Sequence, residues 1–229
     1  NGTMYGIPHG WGANVLAYNS AKVKKPTSWS VVFDAKSPYA GKITAYDSPI
    51  YIADAAMYLM AHNKSLGIKN PYALDQKQLD AAVALLKTQK KNVGEYWSDY
   101  TKSVQSFESG NTLLGSSWQV IANIINGDKK VKVDSTVPSE GATGWSDTWM
   151  ISSKAKHPNC MYKWMDWIAS PKVNAQVAEY FGEAPSNQAA CAQTADKTFC
   201  DTYHAKDAAY AAKIWYWTTP TVDCLDGRG

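Results

Sequence analysis

The chain has 229 residues, of which 45% are hydrophobic and 19% charged, and its formal net charge is +3. These values fit a globular protein of one large domain or two small ones and exclude a disordered chain. The only arginine is Arg228 and the lysines are scattered, which argues against nucleic acid as a partner, because phosphate recognition favours arginine forks and clustered basic residues.

Neither a membrane span nor a targeting segment is predicted. No apolar run approaches the roughly 18 residues that a membrane-spanning helix needs. No signal peptide is recognisable, and the chain begins with Asn1 rather than an initiator methionine, so we expect a processed or trimmed product.

The N-terminal part of the chain predicts strands and helices in alternation. The first elements are an extended, turn-punctuated segment over residues 5–12 and a strand over 14–18. A short helix over 28–33 and a second strand over 41–46 follow. Ser48 and Pro49 then form a typical helix start, with Ser48 as the cap. The apolar stripe that follows predicts a helix to about Gly67.

The middle of the chain continues this alternation. Its apolar pattern predicts helices from about 75 and over 100–108, and strands over 112–114, 131–133 and 143–151, with a turn at 138–141. After the first of these strands, Ser116 and Ser117 are predicted to cap a helix that begins near Trp118 and ends before Gly127.

The last third is predicted to be mainly helical. Helices are expected over 161–169, 172–181 and 205–217, with an irregular segment at 187–202. Because strands alternate with helices through most of the chain, the predicted class is α/β with mixed or parallel sheets.

Four cysteines stand at positions 160, 191, 200 and 224, and none forms a CxxC pair. The four histidines are dispersed, so no zinc site is indicated. An even number of cysteines in one third of the chain favours disulfides in an oxidising compartment. The favoured pair is Cys191 with Cys200, which closes a short loop, and Cys160 with Cys224 then remains; buried free thiols are the alternative.

Several strand-to-helix junctions are candidates for a ligand site, because ligands bind at the carboxyl ends of strands in open α/β sheets. Trp145 and Asp147 are two positions apart, so on one strand both side chains face the same side. An indole face beside a carboxylate suits an ammonium group; a purely structural role for the two residues is the alternative.

No catalytic, metal-binding or cofactor-binding motif competes with this interpretation, so no enzyme activity, metal or cofactor is predicted. His9 has no base or nucleophile near it in sequence and is expected to be a loop histidine.

Six segments taken together resemble the periplasmic polyamine-binding proteins of ABC importers. They lie at residues 5–12, 39–43, 114–118, 138–147, 169–173 and 182–187. The order and spacing of the segments match that family over about residues 5–190.

The resemblance implies a two-lobed α/β structure, the type II periplasmic-binding-protein fold, with hinge strands and a ligand cleft between the lobes. Residues 1–12 then end lobe 1 and make the first crossing, residues 13–138 form lobe 2, and residues 139–229 return to lobe 1. An N-terminal segment that completes lobe 1 is expected outside this sequence. A periplasmic or secreted location and a membrane permease as partner are implied as well.

The resemblance also implies a set of ligand-binding residues. Trp145 and Asp147 match family residues that hold an amine, and Trp118 matches a tryptophan at a helix start. Ser48 and Tyr51 stand where polyamine binders carry acidic residues, and Glu183 stands where they carry a tyrosine. Ser117 and Trp11, from the same matching segments, complete the predicted set.

The loss of acidic residues at two positions favours a ligand with one ammonium and one carboxylate, such as γ-aminobutyrate. The cysteine-rich tail, with residues 203–205 and 215–217, resembles the branch of the family that takes up γ-aminobutyrate. The alternatives are putrescine or spermidine, and, from another class, an extracellular carbohydrate-binding protein or glycan hydrolase.

Overall fold

A computed structural model describes residues 4–218. Helices α1–α9 cover Ser30–Phe33, Ile52–His62, Gln76–Gln89, Tyr100–Glu108, Gln119–Asp128, Pro158–Ile168, Pro171–Phe181, Phe199–Thr202 and Ala208–Ala211. Strands β1–β8 cover Gly6–Asn19, Ile43–Tyr46, Val93–Trp97, Leu114–Trp118, Val133–Thr136, Ala142–Met150, Ala184–Pro185 and Ile214–Tyr216. Within residues 4–218, no helix has the length and apolar character of a membrane span.

The chain forms two compact units. Among the described residues, unit 1 contains 4–12 and Gly144–Ala212, and unit 2 contains Ala13–Thr143 and 213–218. Strands β1 and β6 each pass from one unit into the other. The second of these passages falls at Thr143–Gly144, and the assignment of chain segments to two lobes stays a prediction.

Unit 2 is built on a mixed sheet. Strand β2 pairs in parallel with both β3 and β4, whereas the C-terminal part of β1 pairs antiparallel with β4 and β5. Consecutive residues of β1 point to opposite faces, so Leu16 and Ala17 belong to different hydrophobic clusters. Helices α1, α2 and α3 cover the face of Leu16, and α4 and α5 cover the face of Ala17.

Unit 1 packs helices α7 and α8 against the short β7, with Ala178, Ala184 and Phe199 in its core. Strand β7 pairs antiparallel with the start of β1. The predicted disulfide between Cys191 and Cys200 is confirmed. Cys160 is exposed and makes no disulfide with a described residue, and Cys224 lies outside the described residues, so that pairing stays a prediction.

Several elements differ from the sequence prediction because tertiary pairing overrides local signals. Residues 6–13 are not punctuated by turns but belong to the long strand β1, whose backbone is paired with β7 and β4. The predicted helix over 205–217 is wrong. It is replaced by the short α9 and by strand β8, and the N–H of Ala142 donates to the carbonyl of Lys213, just before β8.

Two predicted helix caps are also wrong. Ser116 and Ser117 lie inside β4, and Trp118 ends that strand, so α5 begins at Gln119. Ser48 precedes a short 3-10 turn that leads into α2, but its side chain makes no capping hydrogen bond. The strand at 131–133 is displaced to β5, and β3 was not predicted at all.

Candidate functional site

The structure divides the predicted ligand-binding residues into two groups. The unit 1 group is Trp11, Trp145, Asp147 and Glu183, and the unit 2 group is Ser48, Tyr51, Ser117 and Trp118.

Strand β6 carries Trp145 and Asp147 as predicted, and its alternation places both side chains on one side. Trp145 is half-buried, and its ring lies directly over Gly12, where a Cβ atom would overlap the ring. Asp147 is exposed. The absence of a side chain at Gly12 therefore makes room for the indole ring.

Glu183 is buried and paired with His9. Its Oε1 lies 2.7 Å from His9 Nδ1, and only 3% of the residue is exposed. A Cβ atom at Gly10 would overlap the Glu183 carboxyl group, so this glycine makes room for it. The His9 ring also packs against Trp149, with ring centroids 4.8 Å apart. His9 is thus a buried strand residue rather than a loop histidine.

Burial sets the protonation of this pair. It raises the pKa of Glu183 to about 8, and the negative charge of Asp147 acts in the same direction. Burial also lowers the pKa of His9, against the opposing influence of Asp147. At neutral pH the pair is therefore uncharged and holds one titratable proton on the carboxyl group. A cation bound nearby would favour the release of that proton.

This pair predicts a specific dependence of stability on pH. At pH values above about 4.5 and above the lowered pKa of the folded His9, and up to about 6.5, the folded and unfolded pairs each hold one proton, so the pair contributes no slope. Above pH 6.5 the unfolded pair has lost its proton, whereas the folded pair keeps it until about pH 8. The free energy of unfolding should therefore fall by about 1–2 kcal/mol across that window, allowing for solvent screening.

Substitution Glu183→Gln should reverse this behaviour. In this variant His9 remains, and because burial lowers its pKa, the folded protein binds the histidine proton less readily than the unfolded chain, so stability falls as the pH falls below 6.5. The difference in unfolding free energy, variant minus wild type, should then rise steadily from about pH 5 to pH 8 in urea titrations. A difference independent of pH would contradict the uncharged pair.

Trp11 is half-buried and packs in the core of unit 1. Its ring centroid lies 6.5 Å from that of Tyr210. The structure thus gives this residue a packing role, and its contact with a ligand stays a prediction.

In the unit 2 group, Trp118 belongs to an aromatic cluster that sequence reasoning missed. Its ring is perpendicular to that of Trp97, with centroids 4.9 Å apart, and lies 5.5 Å from the ring of Tyr46. The Trp97 indole N–H donates to the carbonyl of Ser116 and fixes the cluster to β4. The carboxyl ends of β2, β3 and β4 bring these three rings together, because Tyr46, Trp97 and Trp118 are the last residues of their strands.

The other predicted residues of unit 2 differ in accessibility. Ser48 is half-buried, whereas Tyr51 is buried and its hydroxyl accepts a hydrogen bond from Gln89 Nε2 at 2.8 Å. Burial raises the pKa of Tyr51 well above its usual range, so the phenol is neutral. The Ser117 hydroxyl is buried and has no hydrogen-bond partner among the described residues.

A cavity of about 320 Å³ lies elsewhere in unit 2 and contains none of the predicted residues. Met57, Met60, Ile68 and Trp215 give it an apolar lining, with Glu140 among the polar residues. No group of three or more metal-ligating side chains occurs within residues 4–218.

Comparison with known proteins identifies relatives over most of the chain. Residues 1–212 match a family described as bacterial extracellular solute-binding protein. A spermidine/putrescine-binding periplasmic protein of Escherichia coli is 28% identical over 188 residues, which cover 81% of this chain and 51% of that protein. A putrescine/cadaverine-binding protein of Pseudomonas aeruginosa is 23% identical over 202 residues, which cover 82% and 54%. The chain thus spans about half the length of these curated relatives.

Solved structures show the same fold. A structure described as the Atu4243–GABA receptor matches with a TM-score of 0.75 at 24% identity. The match covers 94% of this chain and 63% of the receptor chain. A putative spermidine/putrescine ABC transporter protein from Listeria monocytogenes has a TM-score of 0.76 at 19% identity, with coverages of 97% and 66%. The predicted α/β class and type II periplasmic-binding-protein fold are confirmed, and the family description agrees with the predicted periplasmic or secreted location.

Proposed function

Because the chain belongs to the family of bacterial extracellular solute-binding proteins, we propose that it is part of a binding protein that captures a small amine-bearing ligand for an ABC transporter. The observation that carries this proposal is the pairing of Trp145 with the exposed Asp147 on β6. An indole face and a carboxylate on one side of a strand offer a cation–π contact and a charge-assisted hydrogen bond to an ammonium group. Capture by hinge closure and delivery to a membrane permease are parts of the same proposal.

The ligand that fits best is γ-aminobutyrate or a similar ω-amino acid. In the unit 1 group, Asp147 supplies the anionic partner, because the Glu183 carboxyl group is protonated at neutral pH. One negative charge matches one ammonium. In the unit 2 group, the half-buried Ser48 offers a hydroxyl group rather than a carboxylate, and the buried Ser117 and neutral Tyr51 add no negative charge. This environment suits the carboxylate end of the ligand better than a second ammonium.

Putrescine or spermidine is the second candidate, supported by the named relatives of Escherichia coli and Pseudomonas aeruginosa. A diamine has a second cation, which would draw the proton from Glu183 and restore its negative charge. A carbohydrate ligand or a glycan hydrolase has weaker support, because hydrolysis needs paired carboxyl groups across the bond, and the named relatives are binding proteins.

We also propose that a further segment of the same protein completes unit 1. Several large apolar residues of this unit are each more than half exposed, namely Met150, Tyr162, Trp167, Tyr180 and Phe181. Such a concentration is typical of a surface that another polypeptide covers, and the chain aligns with only 51% of the Escherichia coli relative. In the full-length protein these side chains should be protected from surface labelling; continued exposure would contradict the proposal.

The test of the proposed function is a thermal-shift panel on the full-length protein. The panel contains γ-aminobutyrate, β-alanine, putrescine, spermidine and a neutral sugar, each at several concentrations. We expect the ω-amino acids to stabilise the protein, by about 2.7 kcal/mol at a concentration of roughly 100 times Kd. Stabilisation by the diamines alone would favour the second candidate, stabilisation by the sugar alone would favour the third, and no shift with any ligand would overturn capture of a small solute of these classes.

A further inference from the structure

A chain of hydrogen bonds connects the Trp118 indole to a buried carboxyl group in unit 2. The Trp118 Nε1–H donates to Asn14 Oδ1 at 3.0 Å, and Asn14 Nδ2 donates to Thr143 Oγ1 at 2.7 Å. The Thr143 hydroxyl donates in turn to Asp54 Oδ1 at 3.0 Å. Four side chains from β4, β1, β6 and α2 are thus joined in one series.

The chemistry of the two ends fixes the direction of the series. An indole N–H can only donate, and a carboxylate can only accept. A hydroxyl has a single hydrogen, so Thr143 must accept from Asn14 if it donates to Asp54. The Asn14 amide must then present its oxygen to Trp118. The Trp118 indole and the Asp54 carboxylate therefore require the same direction of donation along the series. Reversing Asn14 or Thr143 would place two donors or two acceptors opposite each other.

Asp54 itself is 2% exposed and lies in the first turn of α2. No cation is paired with it among the described residues, and the titratable side chain that interacts with it there is Tyr51 of the preceding 3-10 turn. A buried carboxyl group without a cationic partner costs stability, so its retention needs a reason beyond packing.

We propose that Asp54 is a positioning residue, whose carboxylate acts through Thr143 and Asn14 to hold the Trp118 indole in the orientation that unit 2 offers to the ligand. The part of this inference that concerns the ligand rests on the proposed function. The orientation of the indole in the unliganded protein does not.

The protonation of Asp54 gives the proposal a distinctive readout. Burial raises the pKa of Asp54 to about 7, against the hydrogen bond from Thr143. A protonated carboxyl group can donate to Thr143 Oγ1, which frees the threonine hydrogen and removes the directional constraint on Asn14. Tyr51 does not interfere near neutral pH, because burial holds its pKa far above this range.

The experiment follows the indole ¹H–¹⁵N resonance of Trp118 in the unliganded full-length protein between pH 5 and 9, assigned by its loss in Trp118→Phe. We expect this resonance to titrate with a midpoint near the pKa of Asp54, about 7. The titration should disappear in Asp54→Asn, which keeps an acceptor but does not ionise. Thr143→Val should shift the resonance and abolish its titration. Thr143→Ser, which retains the hydroxyl, should show the wild-type chemical shift and the wild-type titration.

Ligand affinity supplies the second readout. With the ligand that the panel identifies, Thr143→Val should weaken binding about tenfold, because the buried partners of the missing hydroxyl lose their hydrogen bonds, and Thr143→Ser should bind like wild type. A Trp118 resonance that does not titrate, or that is unchanged in Thr143→Val, would overturn the positioning role even if the ligand binds. If no ligand of the panel binds, the proposed function fails, while the resonance still decides whether Asp54 controls the indole.

Discussion

Substitution Asp147→Asn is expected to weaken binding of the amine ligand by about a hundredfold, or roughly 2–3 kcal/mol. The exposed carboxylate sits beside Trp145 on β6, and at neutral pH Glu183 is protonated, so Asp147 supplies the negative charge among the predicted ligand-binding residues of unit 1. The asparagine keeps the size of the side chain and one acceptor but removes the charge, so stability should change little. Isothermal titration calorimetry on the full-length protein measures the loss directly.

The matched control is Asp201→Asn, the same change at an exposed aspartate of α8 in unit 1. This variant should bind like wild type, which separates a local contact from a change in overall charge. Equal affinities for Asp147→Asn and wild type would show that the ammonium is held elsewhere.

Substitution Gly115→Ala is expected to lower the free energy of unfolding of unit 2 by about 3 kcal/mol or more. A Cβ atom at this position of β4 would overlap the carbonyl oxygen of Thr44 on the paired strand β2. That oxygen belongs to the backbone and cannot rotate aside, so the strands must separate locally. Because β4 continues into Ser117 and Trp118, ligand binding should weaken as well.

Gly127→Ala is the matched control for this change. Gly127 lies near the end of α5 in the same unit, and a Cβ atom there would meet nothing within 4 Å. Alanine favours a helix over glycine, so this variant should be more stable by up to about 1 kcal/mol. In urea unfolding, Gly115→Ala should therefore lower the free energy of unfolding and Gly127→Ala should raise it. A Gly115→Ala variant as stable as wild type would mean that the β2–β4 contact is looser than the structure shows.

The local sequence pattern was sufficient to predict the part of the candidate site that lies on a single strand. The spacing of Trp145 and Asp147 predicts a shared face, and β6 provides it. The pairing of His9 with Glu183 could not be predicted in this way, because 174 positions separate the two residues. Only the pairing of β7 with β1 brings them together. The alternating glycines at positions 10 and 12 were the available signal, since both make room for a side chain from a distant part of the sequence.

Long-range pairing also explains the misjudged elements. Residues 114–118 contain serine and tryptophan, which are typical of a helix start as well as of a buried strand, and the parallel pairing with β2 decides for the strand. The apolar residues after Ala205 fit a helical period, yet the backbone of the segment at Lys213 is bonded to Ala142. The role of Asp54 was hidden for the same reason, because its partner Thr143 is 89 positions away.

The passage of the chain through unit 2 has a consequence for the order of folding. Unit 1 is assembled from residues on either side of Ala13–Thr143, so an unfolded chain would have to close a loop of that length before β1 and β7 can pair, at an entropic cost that grows with the logarithm of its length. Once unit 2 has folded, the hydrogen bond between Asn14 and Thr143 holds the two ends of that loop together. Folding of unit 2 therefore lowers the entropic cost of forming unit 1. A substitution that destabilises unit 2 should then slow the refolding of unit 1, even when every residue of unit 1 is unchanged.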